Sequence, residues 1–448
     1  MCSSDLKPSI FDNPMYERGA ENPGRSIVLI GQQFLNYWQY FTWQFGRDWS
    51  ALAQRLLAVL FAGLGFLGAR RHWRADRRSA LAMTALVLTV TVALVFYLNF
   101  KWGFSQPYTG LEHEVRERDY FFIASFAVWG VWVGIGLAAI AETLRWRLAA
   151  APLFVIALIP LVGNRLTASR AGETVARDYA RDLLESVDPY ALIITSGDND
   201  TFPLWHAQEA QGIRRDVSVM VMTLANTNWY LTQLQRRPPV PYAGVPAPTQ
   251  PWMSRYYLGT PGGGDSLPPY VIVDHPVAGD VGPIRVTLDP QVLKRPYLER
   301  AELAVLQIIK DQVGKRPIYF SRTVGIYADQ FGLTGYLEGQ GFARRLHGQP
   351  ITPSDSIQPV GQLGYVNIPR SAALLFDVYH ISGAARPRPR GWVDRPSEGI
   401  LQTYGLMYTA LSEAVRRTNP TLASRALVVA DSIFKNTTLS FQPPGEVR

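Results

Sequence analysis

ALAMTALVLTVTVALVFYLNF, residues 80–100, contains no charged side chain. A helix needs about 20 mostly apolar residues to cross a bilayer, because lipid cannot satisfy backbone polar groups. Working outward from this stretch, residues 51–69 and 120–141 are similarly apolar, and residues 148–164 form a shorter apolar run with two prolines. Soluble helices rarely stay apolar on every side for this length. The sequence therefore predicts a membrane protein with about four transmembrane helices.

Arginines in the short connections predict the orientation of these helices. Residues 70–78 read RRHWRADRR, and Arg145 and Arg147 lie between the last two apolar runs. Short loops rich in Arg and Lys stay in the cytoplasm. Residues 101–119 and everything after Arg165 are then predicted to be extracytoplasmic.

A further apolar segment, residues 26–45, reads SIVLIGQQFLNYWQYFTWQF. Its large apolar residues recur at helical spacing, whereas Gln33, Asn36 and Gln44 lie off that stripe. The stripe consists of Ile30, Phe34, Trp38, Phe41 and Phe45. An uncharged amphipathic helix of this kind suits either the membrane interface or packing against neighbouring helices, and the sequence leaves both open.

Composition excludes several classes of protein. The formal net charge is +8, but the basic residues form no long run, which argues against nucleic-acid binding. The single cysteine, Cys2, excludes an internal disulfide framework and a cysteine zinc site. Residues 1–6 (MCSSDL) do not form a signal peptide and resemble a translated sequencing adapter. We expect residues 1–25 to be an artefactual or loop N-terminus, and the chain to be a fragment.

After the membrane segments (residues 26–165), the pattern changes to that of an α/β domain, predicted over residues 166–385. A strand at 190–195, a helix at 201–211 and a strand at 217–222 predict a βαβ unit and a partly parallel sheet. A helix at 297–313 then leads to a strand at 318–321 and a strand pair within 336–346. Residues 386–448 are predicted to form a linker and a C-terminal αα-hairpin.

The first candidate site is the charged loop before the third apolar run. It contains Glu114, Arg116, Arg118 and Asp119 at the predicted outer membrane surface. Arg116 or Arg118 could bind a phosphate, and Glu114 or Asp119 could act as a base. Alternatively, the loop is a charged collar that forms internal ion pairs.

The second candidate is the turn Asp198, Asn199 and Asp200 at the carboxyl end of a parallel strand, where α/β sheets usually bind ligands. The sequence favours the alternative that Asp200 has a structural role and caps the following helix. Trp205 and His206 on that helix could face the same crevice, although a lone histidine is more often packed or solvated. The sequence predicts no metal site and no cofactor.

Several segments together resemble one family. They are 97–100 (YLNF), 114–122 (EVRERDYFF), 196–205 (SGDNDTFPLW), 226–230 (NTNWY) and 317–321 (PIYFS). This set is similar to a bacterial polytopic membrane-protein family (domain of unknown function 2723) related to protein O-mannosyltransferases. The resemblance covers residues from about 80 to 345.

The resemblance implies a GT-C type glycosyltransferase in the bacterial inner membrane, with its C-terminal domain outside the cytoplasm. Such an enzyme transfers a sugar from a polyprenyl-phosphate lipid to hydroxyls of an exported acceptor polypeptide. Its catalytic acidic residue lies in an early outer loop that nothing in this chain matches, so we expect the fragment itself to be inactive. Two alternatives stay open: a membrane-anchored binding module without catalysis, and a structural subunit that docks through the C-terminal hairpin.

Overall fold

The computed structural model describes residues 25–103, 105–106, 114, 117–144, 151–237, 240–248, 267–388 and 395–437. The chain divides into two compact units, Met1–Arg170 and Ala171–Arg448. The first unit holds the apolar helices and the second holds the sheets.

The secondary-structure elements described in the first unit are all helices. Three of them, Ala51–Ala75, Arg77–Leu98 and Asp119–Thr143, are long and apolar enough to cross a membrane. The helices are α1 (Ile27–Trp43), α2 (Ala51–Ala75), α3 (Arg77–Leu98, with a π turn at Thr89–Ala93), α4 (Ile123–Thr143) and α5 (Ala151–Gly163), followed by the short turn Arg165–Ala168. The predicted runs 51–69, 80–100 and 120–141 are thus confirmed as helices of spanning length. The predicted run 148–164 contains only the shorter helix α5, so a fourth span stays a prediction.

Helix α1 forms where predicted, but polar residues are buried along with Phe41 and Phe45 of the apolar stripe. Gln33 is 1% exposed and Asn36 is 0% exposed, whereas Trp38 on the stripe is 40% exposed. Gln33 Nε2 donates to Asn99 Oδ1 at 3.2 Å and to the Phe100 carbonyl at 2.8 Å. These bonds satisfy backbone and side-chain groups where α3 ends, which explains why Gln33 faces inward.

Glycines allow α2 and α4 to pack in backbone contact. A Cβ placed on Gly68 would lie 1.8 Å from the Trp132 carbonyl oxygen, and one on Gly136 would lie 2.1 Å from the Leu64 carbonyl oxygen. Small residues at helix crossings of this kind are typical of membrane helices, where close van der Waals packing replaces the hydrophobic effect.

The second unit contains a seven-stranded mixed sheet. Its strands are β1 (Leu192–Thr195), β2 (Ser218–Val221), β7 (Ile318–Ser321), β8 (Leu337–Gln340), β9 (Ala343–Leu346), β10 (Ile357–Pro359) and β11 (Tyr365–Asn367). They lie in the order β10-β11-β8-β9-β7-β1-β2. Strand β1 pairs in parallel with both β2 and β7, and β11 pairs in parallel with β8; the remaining pairs are antiparallel. Two small antiparallel pairs are formed by β3 (Tyr270–Ile272) with β6 (Tyr297–Glu299), and by β4 (Val277–Val281) with β5 (Ile284–Leu288).

Helices cover both faces of the sheet, so the central strands are buried on both sides, as parallel strands require. These helices are α6 (Val175–Glu185), α7 (Asp198–Glu209), α8 (Asn228–Arg236), α9 (Arg300–Gln312), α10 (Gly325–Gln330), α11 (Ile368–Ala373), α12 (Arg395–Val415) and α13 (Pro420–Phe434), with a short turn at Pro290–Leu293. Helix α7 begins three residues before the predicted start at 201, because Gly197 at φ 96° makes the turn and acts as the N-cap. The mixed sheet and the C-terminal helices confirm the coarse α/β prediction.

The C-terminal hairpin of α12 and α13 packs on the main sheet. Tyr404 and Tyr408 of α12 and Ile433 of α13 belong to the same buried cluster as Ile193 of β1. A hairpin that is part of the core argues against a free docking surface, and hence against the structural-subunit alternative.

Candidate functional site

The loop between α3 and α4 contains a buried ion pair. Arg118 Nη2 lies 2.6 Å from Glu114 Oε2, and Arg118 Nε lies 2.9 Å from the same oxygen. Glu114 Oε1 accepts a hydrogen bond from the Lys101 backbone N–H at 2.7 Å. Glu114 is 2% exposed and Arg118 is 6% exposed. The pair therefore ties the loop to the residues that follow α3.

The guanidinium of Arg118 stays charged in this setting. Burial alone would lower the pKa of Arg118, but hydrogen bonds and charge from Tyr120 and Glu114 hold that pKa above its ordinary value. Its Nη1 also donates to Tyr120 Oη at 3.3 Å. A phosphate could bind Arg118 only by exchanging with the Glu114 carboxylate or by approaching from the Tyr120 side.

A second carboxylate of the loop, Glu117, is held by α1. Tyr40 Oη donates to Glu117 Oε2 at 2.9 Å and accepts from the Arg118 backbone N–H at 3.2 Å. Burial and then the charge of Glu117 raise the pKa of Tyr40, so the phenol remains a donor. Tyr40 was missed by the sequence reasoning, because only the fold brings it to a loop 77 residues away.

The four predicted loop residues thus differ in setting. Glu114 and Arg118 are brought together, whereas Asp119 is half-buried at the start of the turn before α4 and accepts the Tyr120 N–H at 3.0 Å. Arg116 lies outside the described residues.

The turn after β1 separates its two aspartates. Asp198 and Asn199 are exposed in the first turn of α7, and Asp200 is fully buried. The Oδ2 of Asp200 accepts from Ser321 Oγ at 2.9 Å, at the carboxyl end of β7. The favoured expectation that Asp200 caps the helix is wrong, because α7 begins at Asp198 with Gly197 as its N-cap, which places Asp200 inside the helix.

An aromatic groove lies beside edge strand β2. It is a cavity of about 990 Å³ lined by residues of α7, β2 and α8, among them Trp205, Trp229 and Tyr230. The ring centroids of Trp205 and Tyr230 are 6.3 Å apart, and those of Trp229 and Tyr230 are 5.5 Å apart. His206 is exposed and does not line the groove, so Trp205 is the predicted residue that the structure places in a cavity. The sequence shows Trp229 and Tyr230 within the motif at 226–230, but it does not predict that they line a cavity.

Two buried carboxylates carry hydrogen-bond networks that the sequence did not reveal. Asp182 accepts from His380 Nδ1 at 2.9 Å and from Tyr404 Oη at 2.5 Å. Glu338 contacts His347 Nε2 at 2.5 Å and accepts from Asn367 Nδ2 at 2.7 Å. Both networks join segments far apart in sequence, which is typical of structural polar clusters. Within the described residues, no group of three or more His, Cys, Asp or Glu is placed to hold a metal ion.

The fold and these sites define a membrane protein with three helices of spanning length and an α/β domain that carries an aromatic groove. Residues 176–261, which contain the turn after β1 and the helices beside the groove, match the family described as TMEM260-associated domain 2. Over 196 residues the chain is 31% identical to the protein O-mannosyl-transferase TMEM260 of Mus musculus, covering 40% of this chain and 26% of that protein. The chain thus matches about a quarter of the length of that relative. No solved structure matches the chain. These matches confirm the predicted relation to protein O-mannosyltransferases.

Proposed function

We propose that the chain is the C-terminal part of a GT-C type membrane glycosyltransferase that uses a polyprenyl-phosphate sugar donor. The acceptor is a hydroxyl side chain of an exported polypeptide. The observation that carries this proposal is the 31% identity to a protein O-mannosyl-transferase. The three helices of spanning length support it, because a lipid-linked donor requires an enzyme in the membrane.

In this proposal, the α3–α4 loop contributes to the site of the donor phosphate. Arg116 and Arg118 supply the positive charge, and guanidinium groups suit phosphate because they can donate two parallel hydrogen bonds. Glu114 holds Arg118 in position, since both of its carboxylate oxygens already accept hydrogen bonds. Asp119 is then the better candidate for a base, because its half-buried carboxylate accepts only from the adjacent backbone among the bonds described.

The aromatic groove is proposed to recognise the acceptor. Trp229, which lines the groove, is 56% exposed, and flat aromatic faces bind apolar and sugar surfaces with little loss of conformational entropy. Asp198 and Asn199 are exposed in the first turn of α7, and His206 is exposed later in the same helix, outside the lining of the groove. These polar groups would complement the rings as hydrogen-bonding partners of a polypeptide.

We also propose where the protein is located and how its helices are oriented in the membrane. The arginine-rich connection between α2 and α3 favours a cytoplasmic loop there, which puts the α3–α4 loop outside. With α5 as the fourth span that the sequence predicts, the α/β domain lies outside as well. The resemblance to a bacterial family favours the bacterial inner membrane. We also propose that the chain alone is inactive, because it matches only about a quarter of the length of the transferase that it resembles.

The test is a transfer assay on the full gene product in nanodiscs, with polyprenyl-phosphate mannose and a Ser/Thr-rich peptide. Transfer is followed by the intact mass of the peptide. Asp119→Asn is expected to reduce the rate about 100-fold or more, the usual effect of losing a general base. The matched control is Asp76→Asn, a helix cap on the opposite loop whose Oδ1 accepts the Arg78 N–H at 3.0 Å.

Unchanged transfer by Asp119→Asn would remove this carboxylate from the reaction. Absence of transfer by the intact protein from any polyprenyl-phosphate sugar would overturn the transferase proposal. Transfer by the 448-residue chain alone would contradict its expected inactivity.

The second candidate is a membrane-anchored binding module without catalysis. The groove of about 990 Å³ favours this alternative, because an aromatic-lined cavity can bind a ligand without catalysing a reaction. Saturable peptide binding that Trp229→Ala abolishes, without transfer under any donor, would support this alternative.

A further inference from the structure

Two arginines converge at the carboxyl end of β7, near the hairpin that joins β8 and β9. Arg344 on β9 is the register partner of Phe320 on β7 and of Gly339 on β8. Arg322 directly follows β7, and a Cβ on Gly339 would lie only 3.0 Å from Arg322 Nη2. Paired residues share one face of a sheet, so the Arg322 guanidinium passes over the side of the sheet that carries Arg344.

Arg344 is buried without the partners that a guanidinium requires. Its Nε and Nη2 atoms are inaccessible to solvent and make no hydrogen bond in the part of the chain that the structure describes. Its nearest described carboxylate is Asp329, 3.9 Å from Nη1, and that side chain is 57% exposed and also accepts from Thr334 Oγ1. The side chain of Arg344 is only 12% exposed. Three of the five N–H groups of this guanidinium, those on Nε and Nη2, therefore have neither water nor a described protein group to bind.

Arg322 adds a second positive charge at the same place. Among the described residues, the Arg322 side chain makes one hydrogen bond, in which Nε donates to the Gly341 carbonyl at 3.1 Å. Burial, together with the charge of Arg344, lowers the pKa of Arg322 to about 10. Two like charges thus face each other with no carboxylate paired to Arg322 in the described residues.

Arg214 shows how this fold satisfies a buried guanidinium. Its nitrogens reach both carboxylate oxygens of Asp216 and the carbonyls of Leu184, Val187 and Asp188 at distances of 2.8–3.1 Å. A buried charge without such partners is strongly destabilising, because desolvation is not offset. The contrast indicates that the partner of Arg322 and Arg344 is a group that does not belong to the described chain.

We infer that Arg322 and Arg344 form an oxyanion-binding site for a phosphate monoester at the carboxyl edge of the main sheet. Planar guanidinium groups bind phosphate through paired N–H donors, and the edge of a sheet beyond the carboxyl ends of its parallel strands is where α/β folds bind ligands. Gly325 keeps the site open, since a Cβ there would already lie 3.4 Å from Arg344 Nη2. The phosphate can come from a soluble molecule or from a lipid headgroup. The site lies within the α/β unit and does not depend on the proposed transferase activity.

The experiment measures thermal unfolding of the full chain in a maltoside detergent, which contains no phosphate. Inorganic phosphate and dioctanoyl phosphatidic acid are added separately, with sodium chloride matching the ionic strength. At a ligand concentration about ten times the dissociation constant, the unfolding midpoint of the wild type is expected to rise by about 3–5 °C. Arg344→Met should lose this rise, and without phosphate its midpoint should equal or exceed that of the wild type, because a buried unpaired charge is removed.

The matched control is Arg345→Met, the next residue of β9, whose Nη1 lies 3.0 Å from Asp188 Oδ2. It should keep the full response to phosphate. If Arg344→Met does not fold, Arg344→Lys should fold and respond more weakly than the wild type, and calorimetric titration of the wild type measures binding directly.

A response to both probes or to inorganic phosphate alone supports a soluble phosphate ligand. A response to phosphatidic acid alone supports a lipid headgroup. No saturable response to either probe, or an equal response by Arg344→Met and the wild type, overturns the inference.

Discussion

Replacing Gly68 by alanine should force α2 and α4 apart. The new Cβ would lie 1.8 Å from the Trp132 carbonyl oxygen and 2.7 Å from the carbonyl carbon. The shortest ordinary carbon–oxygen contact is about 3.3 Å, so the helices must separate locally by roughly 1.5 Å. The obstacle is backbone, so no side-chain rotation can relieve the clash.

The magnitude follows from two opposed effects. Overpacking a well-packed contact costs roughly 1–3 kcal/mol, whereas alanine is better than glycine in a helix by about 1 kcal/mol. Gly63→Ala on the same helix isolates the second effect, because a Cβ placed on Gly63 would have no neighbouring atom within 4 Å. We therefore expect Gly68→Ala to be less stable than Gly63→Ala by about 1–3 kcal/mol.

The assay is unfolding of the full chain in mixed micelles by increasing the mole fraction of dodecyl sulfate, followed by circular dichroism. Equal midpoints for Gly63→Ala and Gly68→Ala would refute the close α2–α4 contact. A similar penalty for Gly136→Ala, whose Cβ would lie 2.1 Å from the Leu64 carbonyl oxygen, would locate the effect at this crossing.

Two further predictions concern the α/β unit. Burial raises the pKa of Glu338, but side-chain hydrogen bonds, first of all that from His347, lower this pKa from 4.5 to about 2. The stabilisation by Glu338 is therefore present above about pH 4.5 and is lost as the pH falls toward 2. Glu338→Gln should therefore lower the unfolding midpoint at pH 7 and flatten its acid dependence; an acid profile equal to that of the wild type would contradict this. Tyr230→Phe removes a hydroxyl that accepts the Val221 N–H at 2.9 Å and donates to the Val219 carbonyl at 3.1 Å, and should cost about 1–3 kcal/mol in denaturant unfolding. A loss below about 0.5 kcal/mol, the usual limit for surface substitutions, would show that water replaces the hydroxyl.

The membrane helices could be predicted well because composition alone determines them. Charge-free runs leave a chain few alternatives in lipid, and the central strands are equally uniform in sequence. The inward position of Gln33 on α1 could not be predicted, because Gln33 is buried to satisfy groups at the end of α3 that lie 66 or more residues away.

The candidate sites were predictable only where partners are close in sequence. Glu114 and Arg118 are four residues apart, and internal ion pairs in that loop were one of the two expectations. Arg322 and Arg344 are adjacent only because β9 pairs antiparallel with β7, a register that no local pattern records. Asp200 likewise meets Ser321 across 121 residues.

The hydroxyl of Tyr230 has a consequence for neighbouring copies of the protein. Anchoring in a membrane confines molecules to two dimensions and brings equivalent domains into frequent collision. An open strand edge would then be a template for intermolecular pairing and aggregation. Tyr230 occupies the outward N–H of Val221 and the outward carbonyl of Val219 on edge strand β2, and the opposite edge strand, β10, ends in a proline that cannot donate. Both edges of the sheet therefore carry a feature that disfavours pairing with a strand of a neighbouring molecule in the bilayer.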